Sequence, residues 1–219
     1  MIIKVCGMRE RENILGLLKA PAPDWMGMIF YPPSSRYVER PSVPAAFYAA
    51  LPVEKVGVFV NELPATIKHK VEEYGLSKVQ LHGDESPEQM DRLKKLLNIE
   101  VIKVFRVGNV WEWDRVTPYL DLADWFLFDT ETPQYGGSGK RFDWGIIHSY
   151  PFDRPFLLSG GIDEGHMEAV LALAKEQPMM KGVDINSKFE QAPGLKELDK
   201  VKRFIHSIRS PEHAGGEKQ

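Results

Sequence analysis

Eight short apolar segments, separated by stretches with helical spacing, constrain the fold of this chain more than any other feature. They cover residues 2–6, 25–30, 55–60, 78–82, 100–105, 124–129, 155–159 and 181–185. Short apolar runs bounded by polar residues or glycine are typical of strands that are buried on both faces. Alternation of such strands with helices predicts a parallel sheet.

Helical spacing is clearest in residues 87–97, where apolar side chains recur every three or four positions, at Met90, Leu93, Leu96 and Leu97. The same spacing predicts helices over residues 9–19, 64–74, 164–175 and 195–208. Ser86 precedes a proline, and Gln89 follows three positions later. We therefore expect a capping box at the start of this helix.

The length of the chain favours a closed barrel. Its 219 residues divide into eight units of about 27, which is enough for one strand, one helix and short loops. An open doubly wound sheet is the alternative, but it commonly has fewer strands and one dominant phosphate loop after the first strand. Here the glycine-rich loops come late. We predict an α/β fold, a single-domain (β/α)8 TIM barrel over residues 1–209, with a flexible polar tail at 210–219.

Composition limits the ligands to be considered. Lys and Arg number 28 against 31 Asp and Glu, so the chain lacks the basic field that binds nucleic acid. No leader or membrane-length apolar stretch is evident, which predicts a cytoplasmic protein without membrane contact. The single cysteine forms no internal disulfide, and none of the six histidines has metal-ligand spacing. We expect a small-molecule substrate, no metal, and a monomer or homodimer.

In such a barrel the carboxyl ends of the strands meet at one mouth, where active sites lie. Polar residues at strand ends would converge there: Cys6, Asn61, His82, Asp129 and Asp184. Lys4 shares a strand face with Cys6 and needs an anionic partner, either Asp129 or Asp184. A cation there would favour the thiolate form of Cys6. Alternatively, Cys6 is a small buried apolar residue and His82 a structural histidine.

The loop at residues 135–141 is rich in glycine but fits no familiar nucleotide or hydrolase motif. The ATP-type phosphate loop fails because Gln134 replaces its first glycine and Arg141 its last Ser or Thr. The dinucleotide fingerprint fails at Phe142, and a serine-hydrolase elbow fails at Lys140. A flexible loop carrying a cation remains, with a plain surface turn as the alternative.

Two later segments predict a phosphate site. Gly160 and Gly161 follow the seventh strand, and Asn186 and Ser187 follow the eighth, where barrels commonly bind phosphate through backbone amides. We expect a short helix to begin near Ser187 and to direct its positive end at the anion. A phosphorylated substrate follows, although a glycine pair is also common in tight turns.

Together these motifs resemble the phosphoribosylanthranilate isomerase family, the (β/α)8 enzymes of tryptophan biosynthesis. The resemblance extends along nearly the whole chain, at residues 4–8 (KVCGM), 30–38 (FYPPSSRYV), 58–61 (VFVN), 79–83 (VQLHG), 128–129 (FD), 136–144 (GGSGKRFDW), 159–161 (SGG) and 182–187 (GVDINS). Each motif is modest alone, and their order is highly specific.

The resemblance implies an aldose–ketose isomerisation of N-(5-phosphoribosyl)anthranilate, an Amadori rearrangement that needs no cofactor. It gives Asp129 the role of general acid on the furanose oxygen and Cys6 that of general base at C2. It places Arg36 on the anthranilate carboxylate, which a guanidinium can hold through two hydrogen bonds. The remaining implied substrate-binding residues are Gln80, His82, Gly137, Ser138, Gly139, Gly160, Gly161, Asp184, Asn186 and Ser187.

Two departures from the family pattern concern the loops. Ser138 stands where threonine is common, and Lys188 with Phe189 replaces a glycine and a small aliphatic residue after Ser187. Lys188 either contacts the phosphate or faces solvent.

Two other functions are alternatives to this isomerisation. A catalytically silent sugar-phosphate-binding barrel would tolerate loss of Cys6 or Asp129, and both are present. The related aminoaldose isomerase of histidine biosynthesis acts on a substrate with two phosphates. It would need an aspartate where Cys6 stands and a second glycine-rich cradle after the third strand, where residues 61–64 read NELP.

Overall fold

The computed structural model describes residues 1–40, 42–108, 110–130 and 142–210, and eight parallel strands form a closed barrel in sequence order. The strands are β1 (Ile2–Val5), β2 (Trp25–Ile29), β3 (Glu54–Phe59), β4 (Lys78–Leu81), β5 (Glu100–Val107), β6 (Trp125–Thr130), β7 (Phe156–Leu158) and β8 (Met180–Ile185). β8 pairs with β1 and closes the ring. The predicted (β/α)8 barrel is confirmed, and the eight predicted strands lie within one or two residues of those observed.

Within the described ranges, six α-helices surround the barrel: α1 (Arg11–Leu17), α2 (Ala45–Ala49), α3 (Pro64–Tyr74), α4 (Pro87–Leu96), α5 (Met167–Glu176) and α6 (Leu198–Arg209). The capping box before α4 is confirmed, because Ser86 Oγ accepts from Gln89 N while Gln89 Oε1 accepts from Ser86 N. In the described parts of the β5–β6 and β6–β7 connections, only 3-10 helices occur, at Trp113–Arg115, Thr117–Tyr119 and Trp144–Ser149. The expected regular strand–helix repeat is therefore incomplete there.

One predicted helix boundary is wrong. The helix predicted over residues 195–208 begins only at Leu198. Leu195–Lys196 instead form β10, which pairs antiparallel with β9 (Glu190–Ala192). Gly194 turns the chain between them with φ of +85°, a backbone conformation that suits glycine. The resulting β9–β10 hairpin follows β8 and lies beside the candidate site described below.

Apolar side chains fill both layers of the fold. A small cluster inside the barrel contains Trp25, Val56, Ile102, Val104, Leu127 and Leu157. A larger cluster packs the helices against the outer faces of the strands. The interior is therefore solid, as in other barrels of this type, and ligands are left to the strand ends.

The division into a barrel over residues 1–209 and a tail stays a prediction, since residues 211–219 lie outside the described part of the chain.

Candidate active site

The carboxyl end of β1 carries a buried ion pair. Lys4 is in register with Asp184 of β8, and its Nζ lies 2.9 Å from Asp184 Oδ1. Both side chains are almost completely buried. Of the two candidate partners for Lys4, the structure therefore selects Asp184. Burial alone would lower the pKa of Lys4, but the charges of Asp184 and Cys6 and its hydrogen bonds with both together raise the pKa above its ordinary value.

Cys6 lies on the same face, immediately beside this pair. A Cβ atom built on Gly27 of β2 would lie 2.8 Å from Cys6 Sγ and 3.0 Å from Lys4 Nζ. The thiol and the ammonium group thus flank the same glycine, as the predicted alternation along β1 requires. Only a residue without a side chain fits at position 27 without displacing one of them.

The environment of Cys6 acts on its pKa in two directions. Burial raises the pKa of the thiol, whereas the charges of Lys4 and Lys196 and a hydrogen bond with Lys4 lower it. Burial dominates, so the pKa lies above its ordinary value. The expected cation beside Cys6 is present, but it only partly offsets the cost of placing a thiolate in this site.

Asp129 stands at the end of β6, across the barrel from β1 in the strand order. Its Oδ1 accepts a hydrogen bond from Thr130 N at 2.8 Å, and its Oδ2 lies 3.5 Å from His82 Nε2. Burial raises the pKa of Asp184, while the charge of Lys4 lowers it; the charge of Asp129 also raises it and that of His82 lowers it. Asp129 and His82 are thus within electrostatic reach of Asp184, at the same end of the barrel as Lys4 and Cys6.

His82 is oriented by its neighbour Gln80, whose Nε2 lies 3.2 Å from His82 Nδ1. Within the described residues, Gln80 Oε1 and His82 Nε2 are buried without a hydrogen-bond partner. Buried polar atoms are nearly always paired. These two atoms, of which His82 Nε2 lies 3.5 Å from Asp129 Oδ2, are suited to contact a polar ligand.

The loop after β7 approaches Asp129 closely. Gly160 and Gly161 have φ of +88° and +68°. A Cβ atom on Gly160 would lie 2.3 Å from Thr130 Oγ1 and 3.2 Å from Asp129 Oδ1. Glycine is thus required at position 160 both for its backbone conformation and for space.

The end of β8 contains the short helix that the sequence predicts. A 3-10 helix spans Ser187–Phe189, directly after Asn186. The side chain of Asn186 accepts a hydrogen bond from Lys196 Nζ at 2.6 Å. Lys188 is exposed, and both of its predicted roles stay predictions.

Arg36 is predicted to bind the carboxylate of the substrate, and in the structure it binds the carboxylate of Glu190. Its guanidinium donates to Glu190 of β9 through Nε and Nη2, with a shortest distance of 2.6 Å. Burial would raise the pKa of Glu190, but hydrogen bonds and charge from Arg36 and Lys196 lower it. Sequence reasoning missed both Glu190 and Lys196.

Lys196 is fully buried, and its Nζ lies 2.7 Å from Glu190 Oε1. Burial lowers the pKa of Lys196 to about 8, while the charges of Glu190 and Cys6 act in the opposite direction. Lys196 and Cys6 each influence the other's pKa, so the β9–β10 hairpin adds a second cation to the surroundings of the thiol.

Not every predicted site residue joins this cluster. Asn61 belongs to the loop network instead, because its side-chain oxygen accepts from Asp84 N and its own N donates to Glu85. Gly137, Ser138 and Gly139 lie outside the described residues.

Within the described ranges, no group of three or more His, Cys, Asp or Glu side chains is arranged to hold a metal ion. No helix in that part of the chain has the length and apolar character to cross a membrane.

Comparison with known proteins gives one consistent result. Residues 3–207 match the family model described as N-(5'-phosphoribosyl)anthranilate (PRA) isomerase. The N-(5'-phosphoribosyl)anthranilate isomerase of Phocaeicola vulgatus is 46% identical over 210 residues, which cover 95% of this chain and 98% of that protein.

Solved structures agree. The phosphoribosyl anthranilate isomerase of Thermotoga maritima is 36% identical with a TM-score of 0.81, covering 95% of this chain and 99% of that one. A second structure, of monomers derived from the dimeric Thermotoga maritima protein, is 31% identical with a TM-score of 0.74 and coverages of 96% and 100%. A third, in complex with reduced 1-(o-carboxyphenylamino)-1-deoxyribulose 5-phosphate, is 32% identical with a TM-score of 0.76 and coverages of 95% and 99%.

Proposed function

The chain belongs to the N-(5'-phosphoribosyl)anthranilate isomerase family, and we propose that it catalyses the Amadori rearrangement of that substrate with Cys6 and Asp129 as its proton-transfer pair. The chain is an isomerase of tryptophan biosynthesis. The product is 1-(2-carboxyphenylamino)-1-deoxyribulose 5-phosphate. The reaction needs two proton-transfer groups on opposite sides of one sugar, and no redox cofactor enters its balance.

Asp129 is the proposed general acid. It delivers a proton to the furanose oxygen while the bond from that oxygen to C1 breaks, and the nitrogen lone pair forms a Schiff base. Thr130 N donates a hydrogen bond to its Oδ1, and His82 Nε2 lies 3.5 Å from its Oδ2. Such fixed geometry is what a general acid requires, since proton transfer needs heavy-atom separations close to hydrogen-bond length.

Cys6 is the proposed general base. Its thiolate removes the proton from C2 of the Schiff base, and the resulting enolamine gains a proton at C1 and loses one from the C2 hydroxyl to give the ketone. Protons balance, as an isomerisation requires. The Lys4 ammonium, fixed by Asp184, lies beside the thiol and stabilises its charged form.

Binding is proposed to use both ends of the substrate. Arg36 takes the aromatic carboxylate, and Gly160, Gly161, Asn186 and Ser187 supply the phosphate cradle. Gln80 and His82 contact the sugar, while the loop residues Gly137, Ser138 and Gly139 cover it. Asp184 forms the pocket floor by restraining Lys4.

One observation supports this proposal above the others: the buried cluster of Lys4, Cys6 and Asp184 lies at the same end of the barrel as Asp129 and His82, whose charges act on Asp184. The direct test follows anthranilate fluorescence after mixing the purified protein with freshly made phosphoribosylanthranilate. Enzyme-dependent loss of the substrate signal is expected. A rate no faster than spontaneous decomposition would contradict the proposal. The histidine-pathway aminoaldose, assayed in parallel, tests the alternative substrate.

We further propose that the protein is cytoplasmic, has no nucleic-acid partner, and is a monomer or homodimer.

A further inference from the structure

The guanidinium of Arg36 is engaged on one edge only. Nε lies 3.0 and 2.9 Å from the two carboxylate oxygens of Glu190, and Nη2 lies 2.6 Å from Oε2. No hydrogen bond of Nη1 to any described residue is present. A guanidinium has five N–H donors in a fixed plane. Glu190 therefore leaves the Nη1 side of Arg36 for a second acceptor.

Glu190 is itself rigidly held by the β9–β10 hairpin. Its Oε1 accepts from Gly194 N at 3.0 Å and from Lys196 Nζ at 2.7 Å. Lys196 is anchored in turn to Asn186. The Glu190 side chain is 3% exposed and that of Lys196 is fully buried, so neither can reorient without opening the hairpin.

The stem of Arg36 packs against Gly7, the residue that directly follows the proposed base Cys6. A Cβ atom on Gly7 would lie 2.9 Å from Arg36 Cδ and 2.8 Å from Asn186 Oδ1. A substrate group held by this guanidinium is thereby bound near the strand end that carries the thiol.

The charges of the cluster also point to an anionic ligand. Arg36 and Lys196 are two cations facing the single carboxylate of Glu190, whereas Lys4 is already matched by Asp184. Together, these five side chains carry one unmatched positive charge when Cys6 is a thiol. A substrate with one aromatic carboxylate supplies the missing negative charge.

We propose that Glu190, fixed by Lys196, is a positioning residue for substrate recognition: it holds the Nε and Nη2 edge of Arg36 so that the Nη1 side receives the substrate carboxylate. This inference rests on the proposed function, from which it takes the role of Arg36. Glu190 touches no reacting atom and acts through the guanidinium.

Steady-state kinetics of Glu190→Gln test the proposal. The isosteric amide keeps the acceptor for Gly194 N but loses the charged hydrogen bonds to Arg36. KM for phosphoribosylanthranilate is expected to rise about ten- to hundredfold, the range typical of a lost charge-assisted hydrogen bond, with kcat changed much less. The control is Glu72→Gln, an exposed glutamate of α3, which should leave both constants unchanged.

The same substitution is then made in an Arg36→Met background. Without a guanidinium to orient, Glu190→Gln should have little further effect on KM. An equal effect in both backgrounds, or an unchanged KM in the single variant, would overturn the proposal. If Glu190→Gln does not fold, Glu190→Asp replaces it, because the shorter carboxylate keeps the charge facing Lys196 while withdrawing from Arg36. Failure of the proposed function itself would appear separately, as an inactive wild-type protein.

Discussion

Lys4 and Asp184 form an ion pair across the β1–β8 junction, with 2.9 Å between Nζ and Oδ1 and almost no solvent exposure of either side chain. The pair links the first and last strands of the barrel, next to the proposed base Cys6. It affects both the stability of the fold and the pKa of the Cys6 thiol.

Lys4→Met should destabilise the protein by about 3–5 kcal/mol, because it leaves the buried carboxylate of Asp184 without its counter-charge. Urea unfolding followed by circular dichroism measures the change. The matched control is Lys95→Met, which removes an exposed ion pair with Asp91 on α4 and should cost no more than about 0.5 kcal/mol. Equal effects of the two substitutions would contradict a buried, unhydrated pair.

The ionisation of Cys6 can be followed through the reactivity of its thiol. Burial raises the pKa of the thiol above its ordinary value, and the thiolate is the form that alkylating agents attack. The rate of alkylation by iodoacetamide should therefore continue to rise with pH through the alkaline range. Since Cys6 is the single cysteine of the chain, this rate reports that residue alone. An alkylation rate already constant at neutral pH would disagree.

Gly27→Ala tests the close packing around the thiol. Its new methyl group would lie 2.8 Å from Cys6 Sγ and 3.0 Å from both Cys6 Cα and Lys4 Nζ, so these groups must shift. Displacement of a catalytic group by about 1 Å can reduce kcat by about 100-fold, while overpacking costs about 1–3 kcal/mol of stability. Kinetics and thermal unfolding measure the two effects. Gly165→Ala, at an exposed position whose nearest neighbour would lie 3.3 Å from the new Cβ, is the control and should retain full activity.

The barrel was predictable because its strands are buried on both faces. Continuous apolar runs locate such strands along the sequence, and convergence of strand ends at one mouth follows from the parallel topology. Lys4, Cys6 and Asp184 could thus be grouped from sequence positions alone. The choice of Asp184 as the partner of Lys4 required the β1–β8 register, which strand identity alone does not supply.

Glu190 and Lys196 were missed for a different reason. Apolar residues at helical spacing continue backward from α6 to Leu195, and this periodicity concealed the short hairpin. The available signal was the Pro193-Gly194 pair, a common turn dipeptide, between two charged residues. The net direction of the Cys6 pKa was also beyond sequence reasoning, because it depends on burial in competition with two cations.

Turnover by Cys6→Ala is the most direct test of the central claim that Cys6 is the proton-abstracting base. The account predicts that kcat falls by at least about 100-fold, the lower end of a general base's contribution, while the reduced carboxyphenylamino-deoxyribulose phosphate analogue still binds. Asp129→Asn, assayed beside it, should show a comparable loss. A Cys6→Ala enzyme that folds, binds the analogue and turns over substrate at close to the wild-type rate would contradict the account.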